Sequence, residues 1–115
     1  MITYDLFTKL YGEAKTYDSL ELYISERGWQ DWMDNFNIEI VTAILKKIYE
    51  YSKESLQDIR TRLNYSRIGL SRAYYIPLRT LENWDDKQNM PEYVEVLVKY
   101  TFFIKEMTKN ESIAE

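Results

Sequence analysis

The sequence predicts an all-α protein, and three observations support that prediction. Only three of its 115 residues are Gly and two are Pro, so few turns are forced and long helices are favoured. Apolar residues recur at helical spacing, most clearly at Val41, Ile44, Leu45, Ile48 and Tyr49. The β-branched run Val94–Val98 could form a strand, but no second segment is a comparably clear candidate. A chain of this length is enough for one domain with a buried core.

Four helical segments are expected in the N-terminal half of the chain. Thr3 can cap the first and Asn37 the fourth, which ends near Tyr51, because short polar side chains accept hydrogen bonds from the first amides of a helix. The second runs from about Asp18 to Arg27, and Gly28 is its C-terminal stop. The third is a short segment with large apolar side chains at helical spacing: Trp29, Trp32, Met33 and Phe36.

This half of the chain, residues 1–52, is also acidic and aromatic. Its five basic and nine acidic residues leave a net charge of −4 (5 − 9). It is rich in aromatic residues, with a stripe made of Tyr4, Phe7, Tyr11, Tyr17, Tyr23, Trp29, Trp32 and Phe36. We expect this stripe in the core, with a partner or dimer surface as the alternative, because Trp and Tyr act as anchors in interfaces.

The second half is expected to contain further helices. Ser55 followed by Asp58 opens one helix, and Ser66 opens a short one that ends at Tyr74. Pro77 fits the first turn of a helix over Leu78–Trp84. The remaining elements are a polar loop over Asp85–Asn89, a long final helix with Pro91 in its first turn, and a polar tail over 109–115. The final helix is apolar on more than one face, so either the N-terminal helices wrap it or it also forms a dimer seam.

Positive charge is concentrated in residues 53–80. This segment carries six basic and two acidic residues, a net charge of +4 (6 − 2), whereas residues 81–115 carry four and eight, a net charge of −4 (4 − 8). Five of the six basic residues are arginines, which suit bidentate contacts with phosphate and guanine. Two short helices joined by a turn, with a second helix that enters the DNA major groove, form a helix-turn-helix.

The run IRTRLNYSRIGLSRAYYIPLRTLENWD (residues 59–85), followed by PEYV at Pro91–Val94, resembles the lambda-repressor-like (Cro/C1, XRE-type) helix-turn-helix family. The resemblance extends over residues 55–107. It implies a lambda-repressor-like helix-turn-helix bundle with an N-terminal helical extension. Within a single helical domain, residues 1–52 would be the extension, 53–108 the DNA-binding unit and 109–115 the tail.

The resemblance also implies a set of DNA contacts. The positions that face DNA in this family fall on Leu78, Arg79, Glu82 and Asn83. Arg79 could bind guanine, Asn83 adenine, Glu82 the amino group of cytosine, and Leu78 the methyl group of thymine. Thr80 and Arg67 could contact phosphate. Ile76, Leu81 and Trp84 are instead expected in the core.

Three residues depart from the family pattern. Tyr75 stands at the turn, where a left-handed backbone usually requires Gly or Asn. Gly69 lies inside a helix, and Pro77 replaces the usual capping Ser or Thr. These departures leave open whether the scaffold binds DNA or has been adapted to bind protein.

Two functions are therefore expected to compete. The first is a sequence-specific DNA-binding regulator of a bacterial or mobile-element gene, acting as a homodimer on double-stranded DNA. The second is a protein-interaction factor on the same scaffold, such as an antitoxin or a phage- or plasmid-encoded inhibitor of the anti-CRISPR type, which could also regulate its own gene. Its protein partner would bind the acidic aromatic half.

An enzyme is not expected, because the chain has no His, no Cys and no glycine-rich phosphate loop. No cofactor or metal is expected either. The chain shows no apolar run long enough to span a bilayer and no signal peptide, so we expect a cytoplasmic protein that does not bind membranes.

Overall fold

The computed structural model describes residues 2–87 and 90–114, with side chains for residues 2–85 and 90–108. Within these residues the chain forms α-helices, one 3-10 helix and no strand, which confirms the all-α prediction. The α-helices are α1 (Tyr4–Ala14), α2 (Leu20–Ser25), α3 (Ile38–Lys53), α4 (Leu56–Arg62), α5 (Arg67–Tyr74), α6 (Leu78–Lys87) and α7 (Glu92–Ala114). The 3-10 helix, Asp31–Asn35, lies between α2 and α3. None of the described helices is long and apolar enough to cross a lipid bilayer.

Local capping explains most of the helix starts. The Thr3 hydroxyl accepts a hydrogen bond from the amide of Leu6, and the Asn37 side chain accepts one from the amide of Ile40. Both caps were predicted and are confirmed. The second helix, predicted from about Asp18 to Arg27, is shorter at both ends. It begins after Ser19, whose hydroxyl accepts from the amide of Leu22, and it ends at Ser25. The predicted tail lies largely within α7, whose backbone is helical to Ala114, and Glu115 lies outside the described residues.

Contacts within the chain group the residues into two compact units. The terminal unit consists of residues 1–53 and 99–115, and the middle unit consists of residues 54–98. The two units share helix α7, which belongs to the middle unit up to Val98 and to the terminal unit from Lys99 onward. The predicted partition into residues 1–52, 53–108 and 109–115 stays a prediction.

The terminal unit has an aromatic core. The ring centroid of Phe7 lies 5.2 Å from that of Phe103 and 5.7 Å from that of Tyr11, distances typical of favourable aromatic pairs. Tyr23 is fully buried, and its hydroxyl donates to the Leu10 carbonyl at 2.9 Å. The expectation of an aromatic core is therefore confirmed for these residues. It is wrong for Trp29, whose side chain is 57% exposed.

A buried lysine is the feature of this core that periodicity did not reveal. Lys99 is 1% exposed, and its ammonium group donates to the Tyr11 hydroxyl at 2.9 Å and to the Tyr51 carbonyl at 2.8 Å. The Tyr51 hydroxyl in turn donates to Glu106, which forms an ion pair with Lys47 at 3.1 Å. These polar contacts compensate for the loss of water around a buried charge.

Candidate nucleic-acid interface

The candidate interface is formed by α5, the turn after it and α6, all within the middle unit. Helix α5 starts where predicted, because the Ser66 hydroxyl accepts a hydrogen bond from the amide of Gly69 at 2.9 Å. Helix α6 begins after Pro77, whose carbonyl accepts from the amides of Thr80 and Leu81 at 2.9 and 3.2 Å. The two helices contact each other. The predicted order of short helix, turn and second helix is thus present in the chain.

Local packing explains why position 69 is a glycine. A Cβ atom at this position would lie 3.1 Å from the Ser66 hydroxyl oxygen. The same oxygen accepts the hydrogen bond that caps α5, so a side chain here would press on the cap. Glycine therefore lowers intrinsic helix propensity but leaves room for the capping contact.

Tyr75 adopts the left-handed conformation that the turn was predicted to need. Its φ and ψ angles are 55° and 36°. Its backbone amide and that of Ile76 both donate to the Ser71 carbonyl, and the Ser71 hydroxyl donates to the Ile76 carbonyl. The Tyr75 side chain is 94% exposed, so backbone hydrogen bonds, rather than packing of the phenol, hold this conformation. A left-handed backbone costs roughly 1–2 kcal/mol for a residue that carries a Cβ atom.

A buried carboxylate joins the three helices of this region. Oδ2 of Asp85, on α6, lies 2.9 Å from Nη2 of Arg60 on α4 and 2.8 Å from Nε of Arg67 on α5. The Asp85 side chain is only 9% exposed, and Nη1 of Arg60 also donates to the Tyr65 carbonyl at 3.3 Å. We call this group the Arg60–Asp85–Arg67 cluster. Two charge-assisted hydrogen bonds to one carboxylate fix α5 and α6 against α4.

The cluster corrects the sequence prediction for Asp85. We expected Asp85–Asn89 to be a polar loop, with Asp85 and Asp86 solvated, but α6 continues to Lys87. Because Asp85 follows the buried Leu81 by four residues, it lies on the same inward face of the helix. Gln88 and Asn89, and the side chain of Asp86, lie outside the described residues.

The helical register of α6 separates its inward and outward faces. Leu81 is 3% exposed and lies inward, and Ile76 and Trp84 are half-buried. Arg79 and Asn83, two residues before and two residues after Leu81, are each about 160° away from it around the helix and are exposed. These two predicted base-contacting residues therefore lie one turn apart on the same outward face.

The other predicted contact residues differ in exposure. Leu78 is 37% exposed, and Thr80 and Glu82 on the flanks of α6 are half-buried. The Arg67 side chain is 39% exposed, but its Nε is committed to Asp85. Arg79 and Asn83 are thus exposed to solvent, whereas Arg67 is partly buried and belongs to the Arg60–Asp85–Arg67 cluster.

Ion pairs reduce the positive charge that the sequence predicted for this region. Arg60 and Arg67 share Asp85, and Arg62 makes a bidentate pair with Glu54 at 3.1 Å for both contacts. Arg72 and Arg79 are exposed and make no hydrogen bond or ion pair with any residue whose side chain is described. Arg72 and Arg79 are therefore the two arginines of α4–α6 without an ion pair to a described side chain, and the cluster itself keeps one unit of positive charge because two arginines share one carboxylate.

Sequence reasoning overlooked two outward residues on α5. Ile68 is 52% exposed and Arg72, one turn later, is also exposed, whereas Leu70 between them is fully buried. The signal was present in the sequence, because residues two positions on either side of an inward leucine lie on the outer face of a helix. Ile68 and Arg72 are thus exposed on α5, as Arg79 and Asn83 are on α6.

A small cleft of about 240 Å³ also lies within the middle unit. Its lining residues are Ser55, Leu56, Gln57, Trp84, Asp85, Met90 and Glu95. Asp85 is already bonded to two arginines. No cluster of three or more acidic side chains that could hold a metal ion occurs among the residues described.

Comparison of the chain with protein-family models, with curated proteins and with solved structures found no match to any of them.

Proposed function

We propose that the chain is a sequence-specific DNA-binding regulator of a bacterial or mobile-element gene, with a lambda-repressor-like helix-turn-helix. Helix α6 would enter the major groove, and the protein would act in the cytoplasm as a homodimer. The observation that carries this proposal is the exposure of Arg79 and Asn83, one turn apart on the outer face of α6. Arginine and asparagine are the side chains that bind guanine and adenine in bidentate fashion.

The ion pairs that hold α6 against α4 and α5 support the proposal. The Arg60–Asp85–Arg67 cluster ties α6 to α4 and α5, so the base-contacting residues project from a rigid element. Preorganised side chains lose less conformational entropy on binding, which favours specific contacts over adaptable ones. Thr80 and the exposed part of Arg67 would contact phosphate, as would Arg72 on α5. Leu78 and Glu82 would refine the base preference at the edges of the contact.

Selection from a random pool of double-stranded DNA, followed by binding titrations at several salt concentrations, tests the proposal. We expect an enriched sequence with two half-sites about one helical turn apart, bound with a steep salt dependence. Arg79→Ala should reduce discrimination at one base position by about 1–3 kcal/mol. Arg72→Ala should weaken binding to all sequences alike and lower the salt slope by about one.

Arg79→Lys is the matched control, because it keeps the charge but loses the planar fork of donors. It should retain non-specific affinity and lose discrimination at the same base position as Arg79→Ala. An unenriched pool, or an Arg79→Ala protein that binds the selected sequence as tightly as the parent, would overturn the proposal.

A second candidate function is a protein-interaction factor on the same scaffold, such as an antitoxin or a phage- or plasmid-encoded inhibitor of the anti-CRISPR type. The observation that favours it is the composition of the outward surface, where Ile68, Tyr75 and Leu78 are exposed and three of the five arginines of α4–α6 are held in ion pairs. Exposed tyrosine and arginine are typical anchors of protein interfaces. The two functions are compatible in a protein that also represses its own gene. A stable stoichiometric complex with a protein, formed by a chain that selects no DNA sequence, would favour this second function.

A further inference from the structure

An exposed tryptophan lies outside the DNA-binding region, in the terminal unit. Trp29 follows α2 and is 57% exposed, although tryptophan is among the most costly side chains to leave in water. Its indole Nε1 donates to Oδ1 of Asp34, on the 3-10 helix, at 2.6 Å. This hydrogen bond restricts the indole before any partner arrives, so binding would cost little side-chain entropy.

The chain segment around Trp29 is strongly acidic. Residues 18–39 contain six acidic side chains, and all six are exposed: Asp18, Glu21, Glu26, Asp31, Asp34 and Glu39. The same segment has one basic residue, Arg27, whose side chain is 2% exposed. Arg27 pairs with Glu13, donates to the Tyr23 carbonyl at 3.3 Å and lies 4.2 Å from the centroid of the Tyr23 ring. The segment therefore presents negative charge to solvent and keeps its one cation inside.

Two further large apolar side chains of this segment are open to water. Leu22 on α2 is 51% exposed, and Ile38 at the start of α3 is 61% exposed. We call the exposed Leu22, Trp29 and Ile38, with the six acidic residues, the Trp29 surface. An exposed tryptophan with large apolar residues close to it in the chain is typical of an anchor in a protein interface.

We propose that the Trp29 surface binds a basic protein, with the Trp29 indole inserted into an apolar pocket ringed by lysine or arginine. The negative charge of the surface favours a basic protein over a second copy of the chain, DNA or an anionic membrane. A symmetric contact between two copies would bring six acids against six, and DNA or an anionic membrane would be repelled in the same way. All the residues involved belong to the terminal unit, so the inference does not depend on DNA binding by α6.

Site-specific photo-crosslinking in the cells that produce the protein tests this inference. A photoreactive phenylalanine derivative at Leu22 leaves Trp29 in place, and the same group at the exposed Lys46 on α3 is the matched control. We expect a product with one basic protein from position 22 and not from position 46. Capture alone is not sufficient, so the identified protein is then purified and its binding to the full chain is measured by calorimetry.

Three variants decide the outcome of that measurement. Trp29→Ala should weaken binding by about 30-fold or more, as expected for an anchor residue. Leu22→Ser, which leaves the indole untouched, should weaken it by a smaller factor. The Asp31→Asn, Glu39→Gln double variant should weaken binding at low salt and have little effect at high salt, because its contribution is screened.

The inference is overturned by any of three results. These are a crosslink that joins two copies of the chain, equal crosslinking from positions 22 and 46, and a Trp29→Ala protein that binds the purified partner as tightly as the parent. The crosslinking and the calorimetry do not involve α6. A failed DNA selection and a failed crosslink are therefore separate outcomes.

Discussion

Replacing Asp85 with Asn should weaken the middle unit more than any surface change of the same size. The substitution keeps the volume of the side chain and removes its charge, so Arg60 and Arg67 lose their shared anion. Hydrogen bonds to charged groups contribute about 1.5–3 kcal/mol each. The Arg60 side chain is 12% exposed, so most of that value applies to its contact. Arg67 is 39% exposed, and its contact is discounted to about 0–1 kcal/mol for screening by solvent.

The expected loss is therefore about 3 kcal/mol in the free energy of unfolding, the lower end of what breaking a buried ion pair costs. For a chain of this size, about 4 °C in the midpoint of thermal unfolding corresponds to each kcal/mol, so the midpoint should fall by about 12 °C. A substitution on the outer face of a helix would change it by about 0.5 kcal/mol or less.

Urea denaturation followed by tryptophan fluorescence measures this loss in the right part of the molecule. The chain has three tryptophans, so a Trp29→Phe, Trp32→Phe background leaves Trp84 as the sole reporter. Trp84 precedes Asp85 in α6 and therefore reports unfolding of the middle unit.

Glu54→Gln is the matched control for Asp85→Asn. It removes the same kind of charge from a bidentate pair with Arg62, but the two side chains are 24% and 35% exposed. We expect a loss below about 1 kcal/mol, as for exposed ion pairs in general. Equal losses for the two variants, or a loss below about 1 kcal/mol for Asp85→Asn, would refute the assignment of the cluster as the main polar tie of this unit.

Three further predictions concern backbone strain and a buried phenol. Tyr75→Gly should stabilise the middle unit by about 0.5–1 kcal/mol, because glycine relieves the left-handed strain but is more flexible when unfolded, whereas Tyr75→Ala should not stabilise it. Gly28→Ala should destabilise the terminal unit by about 1 kcal/mol through its φ of 65° alone, since a Cβ there would meet nothing within 4 Å. Burial raises the pKa of the Tyr23 phenol above its ordinary range, with Glu13 adding to the shift and Arg27 opposing it. The stability that Tyr23 contributes should be complete below about pH 10, the pKa of an unfolded tyrosine, and decline above it.

Each of these has a direct measurement. Urea midpoints of the Gly and Ala variants at position 75 separate relief of strain from loss of the phenol, and equal midpoints would contradict the strain argument. A Gly28→Ala protein as stable as the parent would show that the left-handed backbone at this position is not enforced. For Tyr23, unfolding curves across alkaline pH should show a steeper decline for the parent than for Tyr23→Phe, and parallel curves would argue against protection of this phenol.

The helix starts could be predicted because capping is local. The Ser66 hydroxyl bonds to an amide three residues later, and the residues that decide α5 and its turn are all within ten positions. The left-handed turn at Tyr75 was expected from the resemblance of residues 59–85 to a helix-turn-helix, and it is present. The outward position of Arg79 and Asn83 needed only the inward position of Leu81 between them.

The burial of the neighbouring charged side chains, and the ion pairs that they form, could not be predicted in this way. Asp85 was expected in a polar loop, yet it binds arginines 25 and 18 residues earlier in the chain. The excess of positive charge in residues 53–80 suggested five exposed arginines, yet three of the five are held in ion pairs with Asp85 or Glu54. Ion pairs between residues that are far apart in the chain cannot be predicted from the spacing of residues along one helix.

By itself the sequence determined the all-α class, the capped starts of α1, α3, α4 and α5 and the outward face of α6, because these depend on interactions within about one helical turn. Only the tertiary structure decided which charges are buried and which are open. Lys99 donates to the Tyr11 hydroxyl 88 residues away, Asp85 is held by two arginines from other helices, and Arg27 is turned inward while Trp29 is left in water. The reason is physical: the free energy of a charge depends on every group packed around it, and those groups come together only when the chain has folded.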